Sequence, residues 1–463
     1  MTYDIVIRNG TIVTADATFR GDVGINGAQI AAVGQHLEGR ETIDAQGLLV
    51  MPGGVDGHCH IEQDEADGSV HEDSFSTASA SALAGGTTTV VCFSAHLPNG
   101  RSLVDQFETY VEKGRRSRID YAIHQIITNV DEQTIAEGIP EVVRRGVAGL
   151  KVFMTYDDFH LGDGDFLKVL EAARNAGTIV SVHCENYEAI SFMIRECLAR
   201  NETSPRYHAL SRPPCLEREA TYRAMVLAGL IEQKIQIFHV SCPEVVEEID
   251  RARKRGVPVV AETCPQYFVL TGADMDRPGF EGARYMCSPP PRTKADSAGL
   301  WSYVRRGVID VISSDHCGYS YDGPLGKSRF GRDAPFSLVP NGIPGLATRL
   351  PLIFDEGVNR GNITLNQFVA LVSTNPARRY GLHPRKGTIA PGADADIVLW
   401  DPEKTVTITN SLLHHAIDYT PYEGRQVKGW PVMTLSGGRI GMRDNAILAA
   451  EGDGSFVAPL KGN

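Results

Sequence analysis

The middle of the chain repeats one local pattern: a helical stretch ends at a glycine, and a short apolar run follows. The pattern occurs at 141–154, 167–183, 245–261 and 301–314. Glycine after a basic last helical turn is a common helix stop, because it accepts the left-handed backbone conformation found there. Helices that alternate with apolar strands are typical of α/β folds with a parallel sheet.

Further apolar runs bring the number of predicted barrel strands to eight. The eight runs lie at 48–51, 87–93, 119–127, 149–154, 178–183, 235–239, 257–261 and 308–314. Eight strands that alternate with helices over about 330 residues predict a (β/α)₈ TIM-type barrel with insertions. An open, doubly wound sheet is the alternative that the pattern leaves.

The two ends of the chain have a different sequence pattern, with short predicted strands separated by turn residues. Near the start, short apolar alternations are separated by Asn9-Gly10 and Asn26-Gly27, and Asn-Gly supplies the positive φ angles of tight hairpin turns. Short strands separated by glycine and proline return near the other end. We therefore predict a small β-sandwich domain formed by residues 1–50 and 386–463, with a catalytic (β/α)₈ barrel at 51–385.

Composition and charge narrow the class of partner. The chain has 463 residues, of which 42% are hydrophobic and 22% charged, as expected of a globular protein with a large core. With 45 Lys and Arg against 57 Asp and Glu, the net charge of −12 argues against nucleic acid or an anionic membrane as the main partner. Nine cysteines without a C-x-x-C pair, and no signal-peptide or membrane-spanning pattern, predict free thiols and a cytoplasmic location.

Polar residues follow several of the predicted strands, where the functional rim of a barrel lies. His58 and His60 follow the first strand, His183 and His239 end the fifth and sixth, and Asp315 ends the eighth. Imidazoles and a carboxylate on one rim predict a site for Zn²⁺ or a similar divalent ion. Each residue alone has a simpler interpretation, as a strand-end histidine bonded to a backbone carbonyl or an aspartate that caps a helix.

Lys151 lies inside the apolar run at 149–154. A lone ammonium in such a strand costs several kcal/mol of desolvation or loses its proton. Three interpretations stay open for this residue: a snorkelling or salt-bridged side chain, a Schiff-base nucleophile, or an amine that CO₂ carboxylates into an anionic ligand able to bridge two metal ions.

An ordered set of motifs resembles the cyclic amidohydrolases of the dihydropyrimidinase and D-hydantoinase family. The motifs are PGGVDGHCH at 52–60, GLKVFMTY at 149–156, VHCEN at 182–186, HVS at 239–241, SPP at 288–290, SDHC at 314–317 and PNGIPG at 340–345. The resemblance runs over nearly the whole chain and implies two divalent metal ions. Zinc is the expected metal, with Mn, Co or Ni as alternatives.

The resemblance also implies the role of each motif residue. The metal ligands it implies are His58, His60 and Asp315 for one ion, His183 and His239 for the other, and N6-carboxylated Lys151 as the bridge. Asp315 would carry the proton from water to the leaving ring nitrogen. Tyr156 would donate its hydroxyl to the developing oxyanion, and Tyr156, Ser288 and Asn341 would hold the substrate ring. By themselves, Tyr156 is an ordinary aromatic wall residue and the other two lie in loops.

The function implied is hydrolysis of the cyclic amide bond of a hydantoin or dihydropyrimidine to an N-carbamoyl amino acid. An allantoinase-like or cyclic-imide hydrolase is the alternative, and a non-catalytic scaffold of the same family is disfavoured because all six ligand positions are filled. The expected partners are a small cyclic ureide or imide and, as in relatives, further copies of the chain in a homotetramer or dimer, with 418–424 near subunit contacts.

The segment from Glu62 to Asp73 departs from the relatives. It contains six acids and no lysine or arginine, and Glu62 stands where dihydroorotases, by resemblance, have an arginine for the substrate carboxylate. That difference disfavours dihydroorotate. If the segment overhangs the mouth of the site, its field repels carboxylate-bearing substrates; the alternative is a solvated acidic loop without substrate contact.

Overall fold

The computed structural model describes residues 2–460. Its strands are β1 Thr2–Val13, β2 Thr18–Asn26, β3 Gln29–Gly34, β4 Glu38–Asp44, β5 Leu49–Pro52, β6 Gly54–His60, β7 Thr87–Ser94, β8 Asp120–Ile126, β9 Gly149–Phe153, β10 Val180–His183, β11 Ile235–Ile237, β12 Val259–Thr263, β13 Val311–Ile312, β14 His316–Cys317, β15 Ile397–Thr407, β16 Gln426–Ser436, β17 Arg439–Arg443 and β18 Ala446–Ile447.

The α-helices are α1 Phe75–Ala84, α2 Leu103–Gly114, α3 Ile139–Arg144, α4 Asp163–Ala176, α5 Tyr187–Ala199, α6 Arg206–Leu210, α7 Pro214–Leu230, α8 Pro243–Lys254, α9 Gln266–Val269, α10 Lys294–Arg305, α11 Arg349–Ile353, α12 Leu365–Val369 and α13 Asn375–Arg379. Side-chain oxygens of Ser74, Ser102 and Thr293 accept backbone N–H groups at the starts of α1, α2 and α10. Helix α4 ends at Gly177, whose φ of 73° is the predicted left-handed stop. Within residues 2–460, no helix has the length and apolar character needed to cross a membrane.

Strands β6 to β14 form one parallel sheet that closes on itself. β13 pairs with β12 on one side, and β14 pairs with β6, the first strand of the sheet. β13 and β14 therefore share one strand position, interrupted at 313–315, and the ring has eight positions. The (β/α)₈ barrel is confirmed and the open sheet is excluded.

A buried ion pair stabilises the interruption in the last barrel strand. Arg349 Nε lies 3.2 Å from Asp56 Oδ2, and Arg349 Nη1 donates to three backbone carbonyls. The other Asp56 oxygen accepts the backbone N–H of Ser314 at 3.0 Å. Both charged side chains are fully buried, and removing one of such a pair costs about 3–5 kcal/mol. The pair therefore fixes the backbone directly before Asp315.

The second sheet, here called the end sheet, joins the two ends of the chain. Its strand order is β18-β17-β16-β15-β5-β1-β2-β3, with β4 paired to β1. β5 pairs with β1 on one side and antiparallel to β15 on the other. The predicted β layer from both termini is confirmed as this sheet, whereas the domain bounds of 1–50 with 386–463, and of 51–385, stay a prediction.

One predicted barrel strand belongs to the end sheet. The run at 48–51 becomes β5, and the first barrel position is taken by β6, which contains His58 and His60 rather than preceding them. Gly53 separates the two strands, and a side chain there would come within 2.2 Å of Thr88. A glycine is therefore needed at the point where the chain passes from one sheet to the other.

Lys386 connects the barrel to the end sheet. Its Nζ lies 2.7 Å from Asp396, 3.0 Å from Asp394 and 2.5 Å from Asp120, the first residue of β8. Burial lowers the pKa of Lys386, but the three carboxylates raise it more, so that the pKa lies above its ordinary value. The amine is therefore a charged structural link at the N-terminal end of the barrel strands.

Candidate metal centre

Two histidines and an aspartate converge at the C-terminal end of the barrel. His58 and His60 project from the same face of β6, because side chains on a strand alternate with a period of two. Asp315 lies in the interruption between β13 and β14, with its Oδ1 3.1 Å from His58 Nε2 and 3.5 Å from His60 Nε2. The three ligand atoms all lie within 4.8 Å of one another, so this His/His/Asp group can hold one divalent ion.

A second pair of histidines lies beside this group. His239 Nε2 is 3.0 Å from His183 Nδ1, and the ring centroids of His239 and His58 are 5.4 Å apart. The Nδ1 atom of His239 is buried and has no hydrogen-bond partner within residues 2–460. His183 and His239 therefore bring imidazole nitrogens close together, and such nitrogens are ligands suited to a further cation.

Backbone strain coincides with the predicted site residues. Tyr156, His239 and Asp315 have φ angles of 72°, 40° and 51°. Such angles cost about 1–3 kcal/mol for a residue other than glycine, and they persist where the surrounding structure fixes them. At all three positions the strain turns a side chain toward the same cavity.

Lys151 is buried among aromatic rings. Its Nζ lies 4.2 Å, 4.7 Å and 5.7 Å from the ring centroids of Phe238, Phe153 and Phe93. The amine has no hydrogen-bond partner among the described residues. Burial lowers its pKa to about 7, although Asp315 and Glu262 act in the opposite direction. The snorkelling and salt-bridged interpretations are therefore wrong, because the amine reaches neither solvent nor a carboxylate.

Neighbouring polar side chains orient three of the histidines. His58 Nδ1 is bonded to Glu262 at 2.8 Å, His60 Nδ1 to Gln63 at 2.7 Å and His183 Nε2 to Glu185 at 2.7 Å. Such bonds fix the ring orientation and tautomer of a metal-binding histidine and leave its other nitrogen free to bind. Sequence analysis missed all three partners, although Glu262 follows the apolar run at 257–261 and so carries the same strand-end signal as the histidines.

The charge states suit a cation site. Burial lowers the pKa of His60 to about 4 and that of His239 well below its ordinary value, so both rings are neutral, as metal binding requires. Burial acts to raise the pKa of Asp315, but His58 and the bonds from both histidines of β6 hold it well below its ordinary range. Burial lowers the pKa of His58, but Asp315 and Glu262 raise it more, so that it lies above its ordinary value. The site therefore combines neutral rings at His60 and His239 with the ionised carboxylate of Asp315.

All nine predicted site residues line one cavity of about 530 Å³. They are His58, His60, Lys151, Tyr156, His183, His239, Ser288, Asp315 and Asn341. The ring of Tyr156 lies 5.3 Å from that of His183, and burial raises the pKa of its hydroxyl above the ordinary value. The hydroxyl therefore stays protonated and can donate a hydrogen bond into the cavity.

Lys327 joins the two loops that carry Ser288 and Asn341. Its Nζ donates to the carbonyl oxygens of Met286 at 3.1 Å and Pro340 at 2.9 Å. The side chain is almost fully buried, and burial lowers its pKa to about 8. Sequence analysis missed this residue, because neither an apolar run nor a motif marks position 327.

Each acid of the segment from Glu62 to Asp73 has a partner. The pairs are Glu62 with Arg116, Asp64 with Lys113, Glu65 with His71, Asp67 with Arg329, Glu72 with the backbone N–H of Ser320, and Asp73 with His316. Of the six acids, only Glu65 lines the cavity. The segment is therefore held by its neighbours, and its effect on a ligand depends on Glu65.

Comparison with known proteins gives one consistent result. The model of the "Amidohydrolase family" matches residues 49–441. A D-hydantoinase of Ralstonia pickettii is 43% identical over 463 residues, covering 99% of each chain, and one of Rhizobium radiobacter is 43% identical over 459 residues, covering 98% of each. The crystal structure of a dihydropyrimidinase from Brevibacillus agri superposes with a TM-score of 0.94 at 39% identity, covering 98% of both chains.

Proposed function

We infer the reaction of this chain from its family. The chain belongs to the D-hydantoinase/dihydropyrimidinase family of the amidohydrolase superfamily and is a cyclic amidohydrolase. We propose that it hydrolyses the cyclic amide bond of a hydantoin or dihydropyrimidine to an N-carbamoyl amino acid. Water adds across the C–N bond, the hydroxyl going to the carbonyl carbon and the proton to the ring nitrogen. The observation that carries this proposal is the convergence of four histidines and Asp315 around the partnerless amine of Lys151.

We propose two divalent ions at this centre, with zinc as the metal. His58, His60 and Asp315 would hold one ion, and His183 and His239 the other. When bound, such ions acidify a water molecule and polarise the amide carbonyl. The donor set fits, since it offers four imidazoles and a carboxylate, which are ligands that zinc accepts.

Lys151 fits the role of a shared ligand after carboxylation at N6. With its pKa lowered to about 7, much of the amine is neutral at neutral pH, and only the neutral amine attacks CO₂. The nitrogen forms a bond to carbon and releases a proton, which leaves an anionic carbamate. Carboxylation would remove the positive charge from this buried nitrogen, which has no hydrogen-bond partner among residues 2–460.

Three groups of the chain act on the substrate in this proposal. Asp315 uses Oδ1 for its contacts with the histidines of β6, which leaves Oδ2 to take a proton from water and return it to the ring nitrogen. Tyr156 donates its protonated hydroxyl to the developing oxyanion. Ser288 and Asn341 bind the ring from the two loops that Lys327 joins.

We also propose that the chain forms a homotetramer or dimer. Tyr222, Val226 and Leu230 follow one another at intervals of four residues along α7 and are 47%, 43% and 71% exposed, so they form an apolar stripe on one helix face. The segment at 418–424, by contrast, buries Tyr419 and Tyr422 within the chain. Light scattering with Val226→Lys against the unchanged protein tests whether α7 lies in the interface.

The proposed function is tested by metal analysis and ring-opening assays on one purified sample. We expect about two metal ions per chain and hydrolysis of dihydrouracil or hydantoin, followed as loss of ultraviolet absorbance and gain of carbamoyl product. His183→Ala should lower the metal content, whereas His36→Gln, in the turn between β3 and β4, should leave it unchanged. A metal-loaded protein that opens no cyclic ureide would contradict the proposal.

A further inference from the structure

The cavity extends well beyond the residues proposed to act on the ring. Part of its remaining lining is apolar, from Phe153, Phe159, Phe330 and Leu338. Another part consists of Glu65, His71, Tyr319 and Arg329, which we call the polar wall. A substrate that fills this cavity carries a substituent on its ring, and the polar wall constrains the chemistry of that substituent.

Glu65 presents a carboxylate that its neighbours hold through one oxygen. Its Oε1 is bonded to His71 and lies 3.4 Å from the hydroxyl of Tyr319 and 3.5 Å from Gln63 Nε2. The hydroxyl of Tyr319 also lies 3.1 Å from His71 Nε2. The side chain of Glu65 is 19% exposed, and a carboxylate has about four acceptor positions on its two oxygens. The polar wall therefore holds Glu65 in place and leaves a hydrogen-bond acceptor for a ligand.

Arg329 supplies the complementary donor. Its Nη1 lies 3.2 Å from Asp67, and its guanidinium lies 4.9 Å over the ring of Phe330. The side chain of Arg329 is 25% exposed and lines the cavity. A guanidinium has five N–H donors, so Arg329 keeps donors for a ligand oxygen besides those used by Asp67.

A terminal primary amide offers both groups at once, because its nitrogen donates and its oxygen accepts. An alkyl or aryl group satisfies neither Glu65 nor Arg329, and a carboxylate would face the carboxylate of Glu65. We propose that the substrate is a cyclic ureide whose ring substituent ends in a primary amide, with N–H donated to Glu65 and C=O accepting from Arg329. This inference rests on the proposed function. A carboxamide on an alkyl arm and a ureido group on the ring share this chemistry.

Three hydantoins with substituents of equal size test the inference. Their substituents at carbon 5 are 2-carbamoylethyl, 3-methylbutyl and 2-carboxyethyl, which each have five non-hydrogen atoms and the same branching and differ mainly in hydrogen bonding and charge at the tip. We expect kcat/KM for the carbamoyl compound to exceed that of each of the other two by about tenfold or more. Equal or better turnover of the 3-methylbutyl compound overturns the inference. A parallel assay of 5-ureidohydantoin shows which of the two amide sources is preferred.

Unsubstituted hydantoin separates the two levels of the proposal. If it is opened while the three substituents are not distinguished, the inference on the polar wall fails and the proposed function stands. If neither it nor any substituted hydantoin is opened by metal-loaded protein, both fail.

Variants locate the preference on the polar wall. Glu65→Leu should bring the ratio of kcat/KM between the carbamoyl and 3-methylbutyl compounds close to one, and Arg329→Met should lower it severalfold. Asp64→Asn is the matched control, because Asp64 belongs to the same segment, pairs with Lys113 at 2.6 Å and does not line the cavity. If Glu65→Leu fails to fold, Arg329→Met decides alone. An unchanged ratio in a folded variant of either residue overturns the assignment.

Discussion

Two buried lysines at opposite ends of the barrel have contrasting surroundings. Lys386, beside the first residue of β8, has three carboxylates within 3.0 Å of its Nζ. Lys151, in β9, has three aromatic rings around its Nζ and no acceptor among residues 2–460. The pKa of Lys386 lies above its ordinary value, whereas burial lowers that of Lys151 to about 7.

The difference shows that burial alone does not decide what an amine does. Carboxylates near Lys386 offset the desolvation cost and make the residue a charged link between barrel and end sheet. Lys151 lacks that compensation, so its amine is available for covalent chemistry at neutral pH. The predictions below test whether the first residue acts on stability and the second on metal binding and activity.

The largest expected effect is that of Lys151→Met. With the shared ligand lost, we expect the metal content to fall well below two ions per chain and kcat/KM to fall by at least about a thousandfold. The fold should persist, because methionine suits a pocket of aromatic rings. Elemental analysis, ring-opening assays and circular dichroism check these outcomes. Full metal content with full activity would show that Lys151 is not a ligand.

Lys386→Met should act on stability instead. Removing the amine leaves Asp394, Asp396 and Asp120 without their shared cation, and breaking a buried ionic group costs about 3–5 kcal/mol. Denaturant unfolding of the metal-loaded protein measures the loss, and the kcat of the folded protein should stay unchanged. A stability equal to that of the unchanged protein would contradict the structural role.

The pH dependence of stability should have opposite signs for the two lysines. In metal-free, CO₂-free protein, Lys151 has a pKa of about 7 when folded and 10.5 in its ordinary state. Between these values the unfolded chain binds one more proton, so this residue makes stability rise with pH by up to about 1.4 kcal/mol per pH unit. For Lys386, whose folded pKa is raised, the contribution is present at neutral pH and is lost as pH rises above the ordinary value.

The pH dependence of stability that Lys151 contributes can be measured as the difference in unfolding free energy between Lys151→Met and the unchanged protein. Metal-free Lys151→Met lacks the cost of the buried amine, so it should be more stable than the unchanged protein at pH 7, by a margin that shrinks toward pH 10. Unfolding curves at pH 7, 8, 9 and 10 test this trend. A margin independent of pH would mean that the folded amine keeps its ordinary pKa.

The smallest effect is expected at Lys327, the third buried lysine among residues 2–460. Lys327→Met removes the donor shared by the carbonyls of Met286 and Pro340 and so loosens the loops of Ser288 and Asn341. We expect KM to rise about tenfold, or 1.4 kcal/mol, with kcat and metal content nearly unchanged. Lys327→Arg should restore part of the loss. A fall in kcat without a change in KM would assign Lys327 another role.

Sequence patterns predicted those features of the molecule that depend on residues close to one another along the chain. The alternation of helices and apolar runs predicted the barrel, and strand-end histidines with the family motifs predicted residues that line one cavity. The run at 48–51 was misassigned, because four apolar residues do not indicate which of two sheets they join. Glu262 was missed although it follows an apolar run, because nothing local shows that its carboxylate contacts His58. Lys327 was missed because neither an apolar run nor a motif marks its position.

The interruption of the last barrel strand also could not be predicted from local sequence. Its apolar run predicted a strand up to Ser314, but the strand is interrupted at 313–315. The interruption depends on Asp56 and Arg349, which lie far from it in sequence. Only the folded chain brings the three segments together, so no local pattern could reveal the strained backbone of Asp315.

The end sheet also determines when, during its synthesis, the protein can be finished. β5 can pair with β15 only after the ribosome has added the residues between Pro52 and Ile397. At about 5–20 residues per second, this takes tens of seconds. During that interval β5 presents an open edge of the kind that recruits other strands. A message truncated before β15 yields a product that never covers this edge, and such nascent chains are natural clients of chaperones and proteases.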